Sequence, residues 1–484
     1  MLKRFAIVFG AVFLVKCIFY ILDPSIQLYG GDSFSYLATK RNVWIPPDRS
    51  FVYGLLILRS IVRWSHSLGS LVAIQTCTGI AVCLLLYYCS YHVFRFSFSI
   101  SFALACLFAA DPIQLLYERQ IMAETWGSLF LAAALTLSLS YIKKPLIWKL
   151  LPIPLLGLIS TAFRLNSYGP AWFLSFSLPV IFLLKNFVSG HLKPATTETP
   201  VLEHYRLAVH LVLGASCFLI MLNQYTHYYG RLIHRRHAVT YSQGLFMLSG
   251  LWNVVIPEDA PDPRLSKIIA TKTVYFPGAN PVLERNSQFY GPDGIISRWQ
   301  KIPLTGPDNL HDDIAKRTVL NAILRAPFQV LHETLSNCWE CLFNMKSRVL
   351  EIFDKETPIT EQQCQLARED YGLALTQNWK ANSTLTKTLL SKCSAWFYVL
   401  LLSPVWGLAF AVLVWRTDYF IPFLVIIVVG ILDLLPSCMF VVTNARLLHP
   451  LDFGVFLMLG AMVNYVIQRT FQRKLPGAAI LKAS

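Results

Sequence analysis

The stretch FIPFLVIIVVGILDLLPSCMFVV, residues 420–442, decides the fold class of this chain. It holds a single ionisable side chain, Asp433, in 23 residues, and about 20 apolar residues are enough to cross a bilayer as a helix. Runs of the same kind recur along the whole chain, which is 55% hydrophobic and only 14% charged. Soluble domains carry about 25% charged residues. The composition therefore predicts an α-helical polytopic membrane protein and excludes a soluble enzyme, a coiled coil and a disordered protein.

Ten apolar stretches predict about ten transmembrane helices. The predicted spans are 5–22, 71–93, 96–110, 126–141, 150–163, 170–184, 207–221, 396–415, 420–442 and 453–467. If the N-terminus is cytoplasmic, the short connections on that side hold 14 Lys and Arg residues, against eight in the short outer connections. Because basic residues collect on the cytoplasmic side, this excess favours a cytoplasmic N-terminus.

The spans divide the chain into three predicted parts. Residues 1–226 form an N-terminal transmembrane core with a long first outer loop, 23–70. Residues 227–392 form an extracytoplasmic domain of mixed structure, and residues 393–484 hold the last spans and a basic cytoplasmic tail. The net charge is +15, but the block 227–392 contributes only +3, from 19 basic and 16 acidic residues. Most of the positive charge therefore orients helices against a bilayer, and the sequence predicts no nucleic-acid partner.

Acidic residues collect at the predicted outer ends of the spans. Ionisable groups near membrane depth are costly, which makes them candidates for function. The residues concerned are Asp23, Asp32, Asp48, Asp111, Glu118, Glu124 and Asp452. Glu118 and Glu124 flank the short second outer loop, and Glu124 opens the fourth span, where a carboxylate also serves as a simple helix cap.

The first outer loop carries the richest pattern. It reads GGDSFSYLATKRNVWIPPDRSFVYGLLILRSIVRW. Asp32 and Tyr36 are four residues apart and share one face if a helix begins near Phe34. After Pro46-Pro47, a second helix over 51–64 carries Arg59 and Arg63 opposite a leucine-rich face. That pattern is typical of a helix in the membrane interface, or of an ordinary amphipathic loop with snorkelling arginines.

Basic residues of the outer loops lie beside these acids in the predicted topology. Arg49, Arg164 and Arg446 each fall at a predicted outer connection, and His449 follows Arg446. Each arginine is either a membrane-end anchor or part of a cationic pocket. A carboxylate can accept a proton from an attacking hydroxyl, and arginines hold phosphate through paired hydrogen bonds. The combination suits group transfer from a lipid phosphate to an alcohol.

Four segments resemble the GT-C class of integral-membrane glycosyltransferases, the group of the protein O-mannosyltransferases and lipid A aminoarabinose transferases. GDSFSYL is similar to the Asp-containing motif of the first outer loop, and DRSFVYGLLI is similar to the entry into the interfacial helix. YERQIMAETWGSLF resembles the Glu-bearing second outer loop, and ARLLHPLDFGVFLML resembles the start of a late span. The likeness covers most of residues 1–190 and 440–467. Many members have two adjacent acids in the first loop, whereas here Ser33 follows Asp32.

The resemblance implies roles for particular residues. Asp32 would be the catalytic base and Glu124 the second acidic residue, while Arg49 and Arg164 would hold the donor phosphate. The remaining candidates for substrate binding are Tyr36, Asp48, Glu118, Arg446 and His449, the last two near the donor entrance. The resemblance also implies inversion at the anomeric carbon.

The resemblance implies partners and a location as well. The donor would be a polyprenyl-phosphate-linked sugar, and the acceptor a hydroxyl of a glycan, lipid or protein, with membrane lipids around both. No metal and no cofactor other than this co-substrate is expected. The expected location is a bacterial inner membrane with the site facing the periplasm or exterior, or the ER membrane in a eukaryote.

Other functions fit parts of the same pattern. An O-antigen ligase or polymerase shares the lipid-phosphate chemistry. A transporter or flippase would suit the intramembrane Asp433 and Lys16, although no inverted repeat is visible in the sequence. A receptor or scaffold would use the block 227–392 to bind a partner.

Overall fold

The structure is a computed structural model. It describes residues 2–28, 30–42, 45, 49–190, 200–233, 237, 239, 242–272, 288–289, 293–304, 310–343, 360–373, 385–392, 407, 410, 419–440, 449 and 451–474. The described residues are almost entirely helical, as the sequence predicts for this class. They contain no strand beyond one isolated bridge between Gln27 and Gln120.

The N-terminal part of the chain forms eleven of the described α-helices. They are α1 Leu2–Leu22, α2 Gly30–Asn42, α3 Arg59–Ser65, α4 Leu68–Tyr88, α5 Phe98–Ala109, α6 Pro112–Arg119, α7 Glu124–Lys143, α8 Ile147–Leu150, α9 Pro152–Phe163, α10 Tyr168–Gly190 and α11 Pro200–Leu232. A π-helical segment, Val52–Leu58, leads directly into α3, and another, Cys89–Val93, extends α4.

The described helices of the remaining chain are shorter until the last two. They are α12 Gln243–Gly250, α13 Pro263–Ala270, α14 Ile295–Gln300, α15 Leu310–Arg325, α16 Pro327–Phe343, α17 Glu361–Tyr371, α18 Leu385–Lys392, α19 Phe420–Phe440 and α20 Asp452–Lys474. The mixed secondary structure expected of the block 227–392 is therefore not confirmed, because its described residues form helices and connections only.

Six helices in the described part of the chain are long and apolar enough to cross a membrane. They are Leu2–Leu22, Leu68–Val93, Glu124–Lys143, Leu165–Lys185, Tyr205–Leu232 and Phe420–Met439. The pair α5 and α6, bent by 46°, makes a seventh if it counts as one span. The predicted spans near 150–163 and 453–467 are apolar helices of shorter length, and the predicted span 396–415 lies outside the described residues. The count of ten stays a prediction.

Local sequence explains where several of these helices begin. The Ser67 hydroxyl accepts a hydrogen bond from Gly69 N at 3.1 Å and caps α4. The Asp111 carboxylate accepts from Gln114 N at 3.1 Å and caps α6, with Pro112 in the first turn. Both are side chains that satisfy the free N–H groups of a first turn. The bend between α5 and α6 therefore coincides with the Asp111-Pro112 pair.

Charge is segregated along α7. Glu124 begins the helix, and Lys143 ends it about 30 Å away at 1.5 Å per residue. Near the Lys143 end, Lys149 donates to Ser140 O at 3.0 Å and Arg206 donates to Pro145 O at 2.7 Å. Ser140 belongs to the last turn of α7 and Pro145 to the connection that follows it, so both cations lie at the C-terminal end of the helix, where cations are favoured. All three basic residues, Lys143, Lys149 and Arg206, are among the 14 of the predicted inner connections, and the structure places them together at the end opposite Glu124.

Several apolar cores join the described helices, and three of them are large. The largest lies among the long helices and includes Leu86, Phe108, Leu174 and Phe456. A second, which we call the loop core, joins the first loop to its neighbours and includes Phe34, Leu37, Tyr53, Phe163 and Tyr371. A third lies within residues 245–330 and includes Trp252, Phe289 and Trp299. The loop core is the one that positions the candidate site.

Candidate active site

Asp32 and Arg49 form an ion pair at one end of the helical bundle. Asp32 lies in the first turn of α2, and its carboxylate accepts a hydrogen bond from the Arg49 guanidinium. The Arg49 guanidinium also lies 4.8 Å from the centre of the Tyr36 ring, a distance at which cation–π attraction operates. The two charged side chains are 18% and 14% exposed. The predicted shared face of Asp32 and Tyr36 is thus confirmed, with Arg49 against both.

Tyr36 connects this ion pair to the protein behind it. Its ring meets the Tyr53 ring edge-on, with 4.6 Å between centroids. Tyr53 donates its hydroxyl hydrogen to Gln75 Oε1 at 2.8 Å, and the Gln75 amide donates to the carbonyls of Glu118 and Gln120, both at 2.9 Å. A chain of contacts therefore runs from Arg49 through two tyrosines and α4 to the second outer loop.

Burial raises the pKa of Tyr36 to about 12. The Arg49 charge acts against this shift, whereas the carboxylates of Glu124 and Asp32 add to it. Burial also raises the pKa of Tyr53 well above its ordinary value. Both phenols are therefore neutral near pH 7 and serve as structural or hydrogen-bonding groups rather than bases. Since both carboxylates act on Tyr36, it lies near Glu124 as well as Asp32.

The backbone of the first loop is joined to the second. Gln27 N donates to Arg119 O at 3.0 Å, and Ile121 N donates back to Gln27 O at 3.1 Å. The Ser33 hydroxyl, next to Asp32, donates to Ile121 O at 3.1 Å. Because Glu124 follows only three residues after Ile121, this pairing brings the two predicted catalytic acids to the same region.

Glu124 and Arg164 form a second ion pair. Glu124 Oε1 lies 3.0 Å from Arg164 Nη1, and both side chains are largely buried. Arg164 packs over Gly127, where an added Cβ would stand 2.9 Å from Arg164 Cγ. Only glycine leaves room for the arginine one turn after Glu124. Glu124 is thus both the first residue of α7, as predicted, and the partner of Arg164.

Arg164 is also tied to α19. Its Nε donates to Asn166 Oδ1 at 3.2 Å, and the Asn166 amide donates to Asp433 Oδ2 at 2.8 Å. Asp433 is fully buried. Asp433, the acid that suggested a transporter, therefore bonds to the third predicted outer connection.

Glu118 lies in a different ion pair. Lys16 Nζ approaches Glu118 Oε1 to 2.6 Å, and Gln114 Nε2 donates to the same oxygen at 2.9 Å. A Cβ at Gly79 would overlap this oxygen. The Glu118 side chain has no exposed surface, so this arrangement offers no contact to the substrate predicted for it.

Arg119 and Asp23 extend the buried set. Arg119 donates to the carbonyls of Phe19, Asp23 and Leu115 at 2.6–2.8 Å, and it lies 3.9 Å from the Asp23 carboxylate. It thereby satisfies carbonyl groups at the end of α1. We call Lys16, Asp23, Glu118 and Arg119 the buried ion-pair cluster.

The other predicted site residues are placed as follows. His449 Nδ1 lies 3.0 Å from Asp452 Oδ2, and its ring stacks near Tyr117 with 4.5 Å between centroids. His449 is buried, and its role at a donor entrance stays a prediction. Asp48 and Arg446 lie outside the described residues.

Sequence reasoning missed several supporting residues. Tyr229 donates its hydroxyl hydrogen to Arg49 O at 3.1 Å, and Tyr371 on α17 donates to Leu37 O at 2.6 Å. Both come from elements distant in the sequence, so no local pattern links them to the first loop. Gln75 gave one usable signal, since it is a polar side chain within an apolar span.

No group of three His, Cys, Asp or Glu side chains suited to a metal ion occurs among the described residues. The absence of a metal in the reaction stays a prediction. Chemically, the site offers one carboxylate and guanidinium that water reaches, Asp32 and Arg49, and a second carboxylate and guanidinium that are almost buried, Glu124 and Arg164. Comparisons of the chain with protein-family models, with curated proteins and with solved structures give no match.

Proposed function

We propose that the chain is a membrane glycosyltransferase that moves a sugar from a polyprenyl-phosphate-linked donor to an acceptor hydroxyl. The observation that carries the proposal is the partly exposed Asp32–Arg49 ion pair, braced by Tyr36 and close to Glu124 and Arg164. A base and a phosphate-binding cation are thereby available side by side at one end of apolar helices.

In the proposed reaction, the acceptor oxygen attacks the anomeric carbon from the face opposite the phosphate. The Asp32 carboxylate takes the proton of the acceptor hydroxyl. As the new carbon–oxygen bond forms, the bond from the anomeric carbon to the phosphate oxygen breaks, and its electron pair leaves with polyprenyl phosphate. Attack from the opposite face inverts the anomeric carbon.

Arg49 has a double task in this scheme. A guanidinium carries five N–H donors, so Arg49 can contact Asp32 and still donate to a phosphate oxygen. Stabilising the departing phosphate lowers the barrier, because negative charge collects there in the transition state. Arg164 and Glu124 belong to the buried base of the site, where we propose that Arg164 adds positive charge toward the donor and Glu124 holds it in place.

The proposal includes a topology. Ten spans, a cytoplasmic N-terminus and a site on the extracytoplasmic face would place Asp32 within reach of an isoprenoid carrier. The enzyme would lie in a bacterial inner membrane, or in the ER membrane of a eukaryote, and would need no metal. Experiments of the kind described next identify the sugar, and with added acceptors they identify whether the acceptor is a glycan, a lipid or a protein.

The test is a donor panel. Purified protein is incubated with a series of polyprenyl-phosphate sugars, and the release of free polyprenyl phosphate is measured against heat-inactivated protein. We expect release with at least one donor. Movement of an intact lipid-linked sugar across a vesicle membrane, with no release, would instead identify a flippase. Absence of release with every donor from folded protein contradicts the proposal.

A further inference from the structure

An exposed apolar stripe runs along α15 and α16. It consists of Leu320, Leu324, Phe328, Leu331 and Leu335, and we call it the outer stripe. Leu324 and Phe328 are 81% and 84% exposed, and the other three are between 44% and 53% exposed. Exposed apolar residues are ordinary when single, but a contiguous row of this length marks an interaction surface.

The two helices carry the outer stripe as one continuous surface. Ala326 N donates to Ala322 O at 2.9 Å, and Val330 N donates to Ala326 O at 3.1 Å, so the hydrogen-bond ladder continues past Pro327. At 3.6 residues per turn, the five side chains fall within about 80° of the helix circumference. The stripe is therefore one face rather than a scatter of side chains.

The opposite face of the same helices is already occupied. Val319, Ala322 and Val330 are buried in the core around Trp252 and Trp299. Arg325 makes two hydrogen bonds to the Asp259 carboxylate, at 2.8 and 2.9 Å. Since these contacts fix how the helices are rotated, they also fix where the outer stripe points.

The helix α16 lies against the end of α19. Asn337 donates to Cys438 O at 3.1 Å, and α19 is one of the helices apolar and long enough to span a membrane. Ile431 and Leu435 on α19 are themselves exposed, as lipid-facing residues are. The stripe thus belongs to a helix that packs directly on a candidate span, and Lys316 and Arg317, both exposed, precede it by one turn.

We propose that the outer stripe is seated in the lipid of the membrane leaflet that surrounds the outer end of α19. Apolar residues on one face with basic residues at the edge are typical of helices that lie in the interface, where the basic groups meet lipid headgroups. This contact holds α15 and α16, together with the core around Trp252 and Trp299, at the bilayer surface beside the bundle. The proposal depends on the bundle crossing a membrane and not on glycosyl transfer.

The test uses the full-length protein in phosphatidylcholine–phosphatidylglycerol vesicles whose phosphatidylcholine carries a diazirine on an acyl chain. After illumination, labelled residues are mapped by peptide mass spectrometry. We expect label on the outer stripe as well as on Ile431 and Leu435, and none on Ala322. A stripe without label, while Ile431 and Leu435 are labelled, overturns the proposal and indicates a protein cover, such as residues 393–418 or a second copy of the chain.

A second measurement uses introduced tryptophans in vesicles of brominated phosphatidylcholine. Leu331→Trp lies on the outer stripe, whereas Gln329→Trp is an exposed position on the other side of the same helix. We expect the fluorescence added by Leu331→Trp to be lost to bromine quenching and that added by Gln329→Trp to remain. Equal quenching of the two variants, or no quenching of Leu331→Trp, overturns the proposal.

Discussion

Two sets of ion pairs lie at the same end of the helical bundle and differ in how much water reaches them. In the candidate site, Asp32 and Arg49 are 18% and 14% exposed. In the buried ion-pair cluster, Lys16 and Glu118 are 1% and 0% exposed, with 2.6 Å between their charged atoms. Both sets join a carboxylate to a cation, so residue type alone does not separate them.

The difference in exposure indicates different roles for the Asp32–Arg49 pair and the Lys16–Glu118 pair. Removing two charges from water costs several kcal/mol per ion, which close pairing only offsets. A fully buried pair therefore holds elements together and resists rearrangement, as Lys16 and Glu118 hold α1 against α6. A pair at the edge of water can exchange a protein partner for a substrate group. The comparison yields predictions in which one set affects chemistry and the other affects stability.

The largest expected effect is on turnover by Asp32→Asn. Loss of a general base typically slows a reaction by about 10²- to 10⁴-fold, and the amide can still accept a hydrogen bond from Arg49. We expect transfer to fall by this factor while the thermal unfolding midpoint of the detergent-solubilised protein stays unchanged. The matched control is Asp262→Asn, since Asp262 also pairs with an arginine, Arg264, but lies in the block 227–392. Equal loss in both variants removes Asp32 from the mechanism.

The second prediction concerns the buried cluster. Lys16→Met leaves the Glu118 carboxylate buried without its cation, which costs about 3–5 kcal/mol. We expect a lower thermal unfolding midpoint and poor recovery from the membrane. The double variant Lys16→Met with Glu118→Gln restores most of the loss, because the neutral amide needs no counter-charge and can still bond to Gln114. A single variant as stable as the wild type would show that the pair contributes nothing to the fold.

Sequence reasoning worked where the signal was local. The length of an apolar run reports directly on a spanning helix, so the first helix, 2–22, and that at 124–143 were predicted to within a few residues. A helix over 51–64 was also predicted, and the structure has it, although its first half is π-helical, Val52–Leu58. The helix α6 was missed, because the span 96–110 was followed by Asp111 as an acid at its outer end, and no further helix was predicted before the second outer loop.

In the candidate site, too, the contacts that could be predicted were those between residues close in the sequence. Asp32 and Arg49 are 17 residues apart within one loop, and shared loop membership was enough to place them together. Lys16 and Glu118 are 102 residues apart, and neither has a spacing that signals the other. Glu118 was therefore grouped with the candidate substrate-binding residues, because its position near the end of a span gave no sign of its partner, and the structure pairs it with Lys16.

The third prediction returns to the exposed pair. Hydrogen bonds to charged groups contribute about 1.5–3 kcal/mol, so Arg49→Ala should lower kcat/KM for the lipid-phosphate donor by about ten- to a hundredfold. Arg49→Lys keeps the charge but loses the forked geometry, and we expect a value between those of alanine and wild type. Arg63→Ala is the control, because Arg63 is exposed on the neighbouring helix α3. An unchanged kcat/KM in Arg49→Ala would exclude a contact between Arg49 and the donor phosphate in the transition state.

The smallest expected effect concerns Asp23, where α18 docks onto the buried cluster. The Thr386 hydroxyl donates to Asp23 Oδ2 at 2.6 Å, and Thr386 N donates to the same oxygen at 3.1 Å. Burial by itself would raise the pKa of Asp23, but these hydrogen bonds, one from Ser25 and the Arg119 charge hold it below its ordinary value of 3.8. A carboxyl with a lowered pKa stabilises the folded state above its ordinary pKa, and this contribution is lost as pH falls through the folded value.

We therefore expect α18 to loosen as the pH falls below about 4, measured by hydrogen exchange of residues 385–392 with correction for intrinsic rates. Thr386→Val removes one hydrogen bond to the charged Asp23 carboxylate and should loosen α18 by about 1.5 kcal/mol above about pH 4, and by less once Asp23 is protonated. It also moves the acid transition to higher pH, because the pKa of Asp23 rises. Thr386→Ser keeps the hydroxyl and should behave as wild type. Identical exchange in the valine and serine variants would show that the Thr386 hydroxyl does not hold α18. The helix would then be held by its apolar contacts, and Asp23 would interact mainly with Arg119.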